Sequence, residues 1–303
     1  SVLAVRHAAL GYGVGEWARV WPLQPLIRSM GAYFVRRGSG NDLYRKVLAR
    51  YVQMAVEGGI VQAVFPEGGL SRDGRLRAPK LGLIDYMVRG YDPNGERDIV
   101  FVPVGVNYDR VLEDRSLLRE ADGPRPPPGR LQVITNSLGF VFNNVSLAIR
   151  NRWRRFGYAA VQFGRPFSLR AYCQQHEVDF RNDDREARFV QVEHLAKALS
   201  EQVAEVVPVL AVPLIAHVLL ADANAKLSEA DIKAQVQLRL EQLSRNSRRN
   251  LIFDAANSFA VDSALHMLGV RHLVLCEKAY YSVNSAEINV LRYYARSIEH
   301  LLP

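Results

Sequence analysis

The chain has 303 residues, of which 49% are hydrophobic and 23% are charged, proportions that exclude disorder over most of its length. A formal charge of +8 indicates an anionic partner, and charge alone leaves open nucleic acid, an anionic membrane face or a phosphorylated small molecule. The two cysteines, Cys173 and Cys276, lie far apart and lack the spacing of a metal site, which favours a reducing compartment and argues against a disulfide scaffold.

The first half of the chain alternates between strand and helix patterns. In chain order the predicted elements are a helix from Asn41 or Asp42 to Gly58-Gly59, a buried strand from Ile60 to Phe65, a polar loop from Glu67 to Arg77, a helix from about Pro79 to Arg89, a strand within Asp98 to Tyr108 and a strand from Tyr158 to Phe163. This order is typical of an α/β fold, for which we expect a mixed sheet flanked by helices. Ligands of such folds gather at loops that leave the carboxyl ends of strands, and the loops after Phe65 and after Val106 both follow strand ends.

Beyond about Tyr172 the chain reads as mostly helical. Helix patterns cover 183–207, 228–246, 258–267 and 285–302. A Ser228-x-x-Asp231 pair can cap the second of these helices, and a strand is expected from His272 to Val283. The longest apolar stretch, Val206 to Ala221, contains prolines and falls short of the ~20 residues that span a bilayer. We therefore predict an α/β domain over residues 1–172 and a mostly helical region over 173–303.

The strongest candidate site is the loop Phe65-Pro66-Glu67-Gly68-Gly69-Leu70-Ser71-Arg72. Its adjacent glycines let backbone amides approach a ligand closely, and the planar guanidinium of Arg72 suits phosphate oxygens. Glu67, just after a strand end, can orient the loop or a substrate hydroxyl. The alternative is a glycine-rich turn with solvated charges; a P-loop is excluded because the Gly-Lys-Ser/Thr ending is missing.

Two further segments are candidate sites. Gly31-Ala-Tyr-Phe-Val-Arg-Arg-Gly38 delivers two arginines into a glycine loop, which suits anion capture, although surface arginines after an edge strand are the alternative. Val102-Pro103-Val104-Gly105-Val106, followed by Asn107 to Arg110, can line a slot for an acyl chain, although such a segment is more often ordinary core.

In order and rough spacing, the three segments resemble the second, third and fourth blocks of the glycerolipid acyltransferase superfamily: Gly-x-x-Phe-x-x-Arg, Phe-Pro-Glu-Gly-x-x-Ser-Arg and Val-Pro-Val. The matched blocks span Gly31 to Arg110, with weaker similarity to the end of the chain. Gly69, the Ala78-Pro-Lys-Leu-Gly82 run, Tyr108-Asp109 and the tail from Leu291 to Ile298 are more similar to the glycerol-3-phosphate acyltransferase branch than to the lysophosphatidate branch.

The resemblance implies acyl transfer from a thioester, acyl-CoA or acyl carrier protein, to glycerol 3-phosphate, with no cofactor and no metal. The positions that match the family's substrate-binding residues are Gly31, Phe34, Arg36, Arg37, Glu67, Gly68, Gly69, Ser71, Arg72, Lys80, Pro103 and Tyr108. It implies that Arg36 or Arg37 and Arg72 hold the phosphate, in a site shaped by residues of the glycine loop. It also implies that Pro103 and its apolar neighbours contact the acyl donor.

The superfamily's first block, His-x4-Asp, supplies the base and the aspartate that orients it, and it should lie upstream of Gly31. His7 has Tyr12 at the aspartate position, and His217-x4-Asp222 fits the spacing but follows all the other blocks, so we interpret it as coincidence. We expect that the dyad precedes Ser1, that no catalytic residue lies in this chain and that these 303 residues alone are inactive. An inactive homologue is the alternative.

Arginines 150, 152, 154 and 155 surround Trp153, a basic and aromatic pattern that suits the interface of an anionic membrane, with a solvated helix end as the alternative. We therefore expect peripheral attachment to the cytoplasmic face of the cell membrane and a role in phospholipid synthesis. Other acceptors, dihydroxyacetone phosphate or lysophosphatidate, remain open. So does a non-catalytic basic module that binds membranes or nucleic acid, although nucleic acid is not expected because no stacking or groove-reading motif accompanies the charge.

Overall fold

The computed structural model describes residues 10–15, 23–36, 40–121, 157–181, 184–246 and 258–302. Arg37 and the basic segment around Trp153 lie outside these ranges. Two compact units are assembled from alternating segments of the chain. Unit 1 comprises Ser1–Gly69, Ala78–Val102 and Arg165–Glu201, and unit 2 comprises Leu70–Arg77, Pro103–Gly164 and Gln202–Pro303.

The helices are α1 (Leu23–Ser29), α2 (Asp42–Glu57), α3 (Leu81–Val88), α4 (Asp114–Ala121), α5 (Leu169–His176), α6 (Arg185–Ala204), α7 (Ala211–Ala221), α8 (Glu229–Asn246), α9 (Ser258–Val270) and α10 (Ile288–Arg296), with short 3-10 turns at Ser285–Glu287 and Glu299–Leu301. The strands are β1 (Gly11–Gly15), β2 (Ala32–Val35), β3 (Gln62–Ala63), β4 (Val100–Phe101), β5 (Val104–Tyr108), β6 (Ala159–Phe163), β7 (Phe167–Ser168), β8 (Leu227–Ser228), β9 (Val274–Glu277) and β10 (Tyr280–Val283). The expected α/β fold with a helical C-terminal region is confirmed. Its strands form several small sheets.

Unit 1 contains a parallel sheet in the order β2-β1-β3. Helix α2 begins where predicted, because the Asn41 side chain accepts a hydrogen bond from the Tyr44 amide at 3.2 Å, and its inward face buries Ala49, Val52 and Ala55. Val52 packs into a core shared by α3, α5 and α6. The outward face of α2 also carries apolar residues, which are exposed.

Unit 2 is built around α7, in which eight of the eleven residues are buried. Helices α8, α9 and α10 pack against it, and this core closes over the antiparallel sheet β8-β10-β9. The apolar stretch noted in the sequence is therefore the centre of a core. Within the described residues, no helix combines the length and the apolarity needed to cross a membrane.

Three sequence predictions differ from the structure. The expected buried strand at 60–65 has only two residues in β3, and Ile60, Val61 and Phe65 are exposed, because a single neighbouring strand, β1, pairs with it. The single strand expected within Asp98–Tyr108 is split into β4 and β5, which pair with different strands. The strand expected at 272–283 is a hairpin, β9 and β10, that turns through Lys278 and Ala279 at positive φ.

The C-terminal helix predictions are confirmed, including the cap of α8. The Ser228 hydroxyl and the Asp231 carboxylate bond each other at 2.6 Å, and each also accepts the other residue's backbone N–H. The domain boundary at 172/173 stays a prediction; it falls within α5, in unit 1.

Candidate functional site

The carboxyl edge of the parallel sheet in unit 1 carries two of the sequence-predicted segments. Because β2 and β3 both run parallel to β1, their carboxyl ends point toward the same edge of the sheet. Arg36 follows β2, and the Phe65–Gly69 segment follows β3. β1 lies between the two strands, and β3 ends three residues short of β2 in the register, because Ala63 pairs with Tyr12 whereas Val35 pairs with Gly15. The expectation that a ligand loop leaves a carboxyl strand end therefore fits the loop after Phe65.

Arg36 is held at this edge by the first turn of α2. Its backbone N–H donates to the Tyr44 hydroxyl at 2.9 Å, and its guanidinium lies 6.0 Å from the centre of the Tyr44 ring. Gly31 and Phe34, from the same segment as Arg36, make contacts that support the local structure. Gly31 has φ of 94°, and a Cβ there would lie 2.3 Å from the Leu10 carbonyl oxygen. The Phe34 ring packs 5.5 Å from the Arg28 guanidinium.

Lys80 lies over the glycine of the predicted phosphate loop. Gly68 has φ of 65°, and a Cβ there would lie 2.8 Å from Lys80 Cδ and 3.5 Å from its Nζ. The Lys80 amide donates to the Pro66 carbonyl at 2.8 Å, which fixes the lysine backbone beside the loop. Two predicted site residues are thus brought together. The missing side chain at Gly68 lets the Lys80 stem lie against the loop backbone, which places the ammonium group beside the loop, where it can attract an anion.

The other half of the predicted loop belongs to unit 2, because the boundary between the units falls after Gly69. Residues 70–77 form a turn organised by Ser71, whose hydroxyl donates to the Arg75 carbonyl at 2.7 Å and accepts from the Gly74 amide at 3.0 Å. The Asp73 carboxylate accepts from the Arg75 amide at 3.2 Å. Ser71 therefore shapes the loop through its own contacts.

Arg72 projects from this turn into solvent. Its Nε lies 3.7 Å from Oε2 of Glu120 on α4, and 55% of the Arg72 side chain and 62% of the Glu120 side chain are exposed. An ion pair this exposed contributes little stability, so an incoming phosphate can displace the carboxylate at small cost.

The β5–β6 ladder in unit 2 has an apolar face that is open to solvent. Pro103 itself is buried, but the residues that alternate along the two strands face outward in cross-strand pairs. These pairs are Val104 with Phe163, Val106 with Val161 and Tyr108 with Ala159. The ladder is antiparallel and separate from the β1–β3 sheet, so the carboxyl-edge argument does not extend to β5.

Two polar residues lie on the opposite, buried face, Asn107 within β5 and Asp109 directly after it, and neither was expected to have a structural role. Asn107 Nδ2 donates to the Pro208 carbonyl at 2.8 Å. The buried Asp109 carboxylate accepts from the amides of Val212 and Tyr158, both at 3.0 Å, and burial raises the pKa of this carboxyl. The sequence signal for these inward-facing residues was their alternation with Val106 and Tyr108, because alternate residues of a strand share a face.

The His217-x4-Asp222 spacing does not make a dyad in the structure. His217 lies within α7 and Asp222 ends it, and five residues of helix turn their side chains about 140° apart. Burial, together with the nearby Arg239, lowers the pKa of His217. Across the ranges that the structure describes, no group of three or more His, Cys, Asp or Glu side chains could hold a metal ion.

Comparison with known proteins identifies the chain's relatives. A family described as "Glycerol-3-phosphate acyltransferase C-terminal region" matches residues 142–302, and a family described as "Acyltransferase" matches residues 10–107. Similar proteins named glycerol-3-phosphate acyltransferase include those of Hamiltonella defensa subsp. Acyrthosiphon pisum (strain 5AT), 25% identical over 99% of this chain and 36% of the relative, and Pseudomonas fluorescens (strain SBW25), 33% identical over 73% of this chain and 26% of the relative.

The protein of Actinobacillus succinogenes (strain ATCC 55618 / DSM 22257 / CCUG 43843 / 130Z), with the same name, is 28% identical over 98% of this chain and 36% of its own length. The chain thus spans about a third of the length of these relatives. The C-terminal family covers more than half of the 303 residues. This chain belongs to the glycerol-3-phosphate acyltransferase family.

Proposed function

We propose that the protein containing this chain transfers a fatty acyl group from acyl-CoA or acyl carrier protein to glycerol 3-phosphate, in phospholipid synthesis. Family membership supports the acyl transfer, and the relatives' names support the acceptor. The two substrates, glycerol 3-phosphate and the acyl donor, require different binding surfaces. One must hold a dianionic phosphate, and the other must hold an apolar chain.

The observation that carries the acceptor assignment is the position of Lys80 over Gly68. The loop follows a strand end at the same sheet edge as Arg36, so unit 1 presents the Lys80 ammonium group and a glycine backbone together. Cationic side chains bond phosphate oxygens through charge-assisted hydrogen bonds, which are about twice as strong as neutral ones. Within unit 1 we assign phosphate binding to Lys80 and Arg36, and Arg72, Arg37 and Glu67 keep the roles that the resemblance gives them.

The outward face of the β5–β6 ladder supports an apolar donor. Exposures of 44% for Val106, 55% for Val161 and 61% for Phe163 leave apolar area uncovered along five paired residues, about 17 Å of strand. Burial of apolar area is favourable at roughly 25 cal/mol per Å², so an acyl chain laid along this face gains affinity without a polar partner. Pro103 supports this face from within the unit, and Tyr108 lies on it.

The reaction adds the acceptor hydroxyl oxygen to the thioester carbonyl, passes through a tetrahedral oxyanion and expels the thiolate. It requires a base that takes the hydroxyl proton and donors that stabilise the oxyanion. The resemblance gives the base to the histidine of a His-x4-Asp block, and none of the residues assigned here is that histidine. We therefore expect the 303-residue chain to bind glycerol 3-phosphate without acylating it.

We also propose that the protein lies peripherally on an anionic membrane at its cytoplasmic face. Besides the charge of +8, the support is an apolar stripe on α2, opposite its buried face, formed by Leu43, Val47, Tyr51 and Met54. Basic residues Lys46 and Arg50 flank this stripe on the same helix. Flotation with anionic and neutral vesicles across a salt series tests the proposal, and salt-sensitive nucleic-acid binding without flotation would contradict it.

The acceptor assignment is tested with Arg72→Ala in the full-length protein. Loss of a charged hydrogen bond costs about 1.5–3 kcal/mol, so the KM for glycerol 3-phosphate should rise about ten- to hundredfold while the KM for the acyl donor changes little. Lys226→Ala is the control, because it removes one exposed positive charge that pairs with Glu277 and lies outside the loop. An unchanged acceptor KM in Arg72→Ala would contradict the assignment. Assays with dihydroxyacetone phosphate and lysophosphatidate distinguish the possible acceptors.

A further inference from the structure

The turn that carries Arg72 is anchored to the last helix of the chain. We propose that Glu299, in the 3-10 turn after α10, is a positioning residue that fixes this turn through Arg75 and so prepares Arg72 to bind phosphate. The inference rests on the proposed function, because it gives Arg72 the role of a phosphate ligand. All the contacts involved lie within unit 2.

The first contact is between backbones. Gly74 has φ of 91°, and a Cβ at this position would lie 2.0 Å from the Tyr293 carbonyl oxygen and 2.8 Å from its carbonyl carbon. These are backbone atoms of α10, which cannot move aside as the end of a flexible side chain can. The turn therefore lies directly against the helix, at a distance that only glycine permits.

The second contact is a two-point ion pair. Arg75 Nε and Nη2 donate to Oε2 and Oε1 of Glu299 at 3.1 and 2.9 Å. The hydrogen bonds from Arg75 lower the pKa of the Glu299 carboxyl, so the pair stays ionised at neutral pH. The planar guanidinium fork matches both carboxylate oxygens at once, which fixes direction as well as distance.

The hydrogen bonds inside the turn pass this constraint to Arg72. The Ser71 hydroxyl bonds Gly74 and Arg75, the two residues that contact α10 and Glu299. Arg72 therefore lies between an anchored Ser71 and an anchored Gly74. Its backbone is held although its own side chain contacts α4 instead, through Glu120.

A held backbone favours ligand binding because less conformational entropy is lost when the phosphate binds. Pre-organisation of this kind raises affinity without any new contact. Release of the anchor should weaken the acceptor complex and its transition state equally. The KM for glycerol 3-phosphate then rises while kcat at saturating acceptor is unchanged.

The test compares Glu299→Gln with a matched control, Glu287→Gln, both in the full-length protein. Glu287 forms a similar two-point pair with Arg115, at 3.3 and 3.1 Å, away from the turn. In Glu299→Gln we expect amide hydrogen exchange of residues 71–77 to become about two- to fivefold faster and the KM for glycerol 3-phosphate to rise by a similar factor, as for a partly exposed ion pair. The control should change neither, and the exchanged pair Arg75→Glu with Glu299→Arg should restore both.

Each outcome shows whether Glu299 positions the turn or has no effect on it. Exchange in the turn that is unchanged by Glu299→Gln would overturn the inference, and so would faster exchange with an unchanged acceptor KM, because Glu299 would then be merely structural. Failure of the proposed function gives a different result: Arg72→Ala and wild type would share one acceptor KM. The exchange measurement would still decide whether the C-terminal turn anchors residues 71–77.

Discussion

Replacement of Asp109 should destabilise unit 2 at the start of its central helix. The residue before α7, Leu210, offers no side-chain cap, and Asp109 supplies one from the end of β5 by accepting the Val212 amide. The same carboxylate accepts the Tyr158 amide at the start of β6. A negative charge at a helix N-terminus also interacts favourably with the helix dipole. One side chain therefore connects β5, β6 and α7.

The expected cost follows from the amides that would be left behind. In Asp109→Ala the buried Val212 amide loses its acceptor, at about 1–3 kcal/mol, whereas the amide of the exposed Tyr158 can bond water and adds about 1 kcal/mol or less. We expect a total near 3 kcal/mol. In Asp109→Asn one acceptor oxygen remains and the burial cost that raises the carboxyl pKa is relieved, so the loss should be about 1–2 kcal/mol.

Urea unfolding of the chain, followed by circular dichroism, measures these losses as a lowered midpoint with an unchanged m-value. Asp222→Ala is the control, because it removes an exposed carboxylate at the other end of the same helix. Its cost should stay below about 0.5 kcal/mol, as for most surface substitutions. A loss in Asp109→Ala no larger than in this control would refute the capping argument.

Two further predictions concern charge. Glu120→Gln removes the carboxylate that pairs with Arg72, so the KM for glycerol 3-phosphate should fall about two- to threefold, as expected for an exposed ion pair, and a raised KM would show that Glu120 assists the acceptor. Burial lowers the pKa of His217 and of His300 below the unfolded value of about 6.5. Below pH 6.5 the unfolded chain therefore binds more protons than the folded chain, and stability should be lost as the pH falls. The Tm should therefore fall between pH 7.5 and 5.5 and become less pH-dependent when both histidines are replaced by glutamine; equal slopes in the two proteins would contradict this.

The parts of the fold that local chemistry specifies were predictable from the sequence. The Asn41 cap and the apolar spacing behind it gave α2 nearly to the residue, and the Ser228–Asp231 pair gave the start of α8. The break at Val102–Pro103 was not predictable in this way, because the apolar residues on both sides read as one strand. Only pairing with partners more than 50 residues away, β7 and β6, separates β4 from β5.

In the candidate site, too, some residues could be selected from the local sequence and others only from the tertiary structure. Glycine and cation chemistry was enough to select Gly68 and Arg72, because each matters for a short segment, and the family resemblance added Lys80. The ion pair between Arg75 and Glu299 joins residues 224 positions apart, and no local sequence pattern predicts such a pair. Arg36 and the loop after β3 could be placed at one edge only once the strands were known to be parallel.

The alternation of the two units along the chain has a consequence for synthesis. Unit 1 has all its segments once residue 201 is made, but the β5 strand of unit 2 packs against residues that follow position 202. At about 5–20 residues per second, a ribosome needs roughly 10–40 s to proceed from β5 to the end of α10. During that interval the buried face of β5 has no core to join. The nascent chain therefore carries an unfinished unit 2 throughout this interval, which makes it the period in which a chaperone would be most useful.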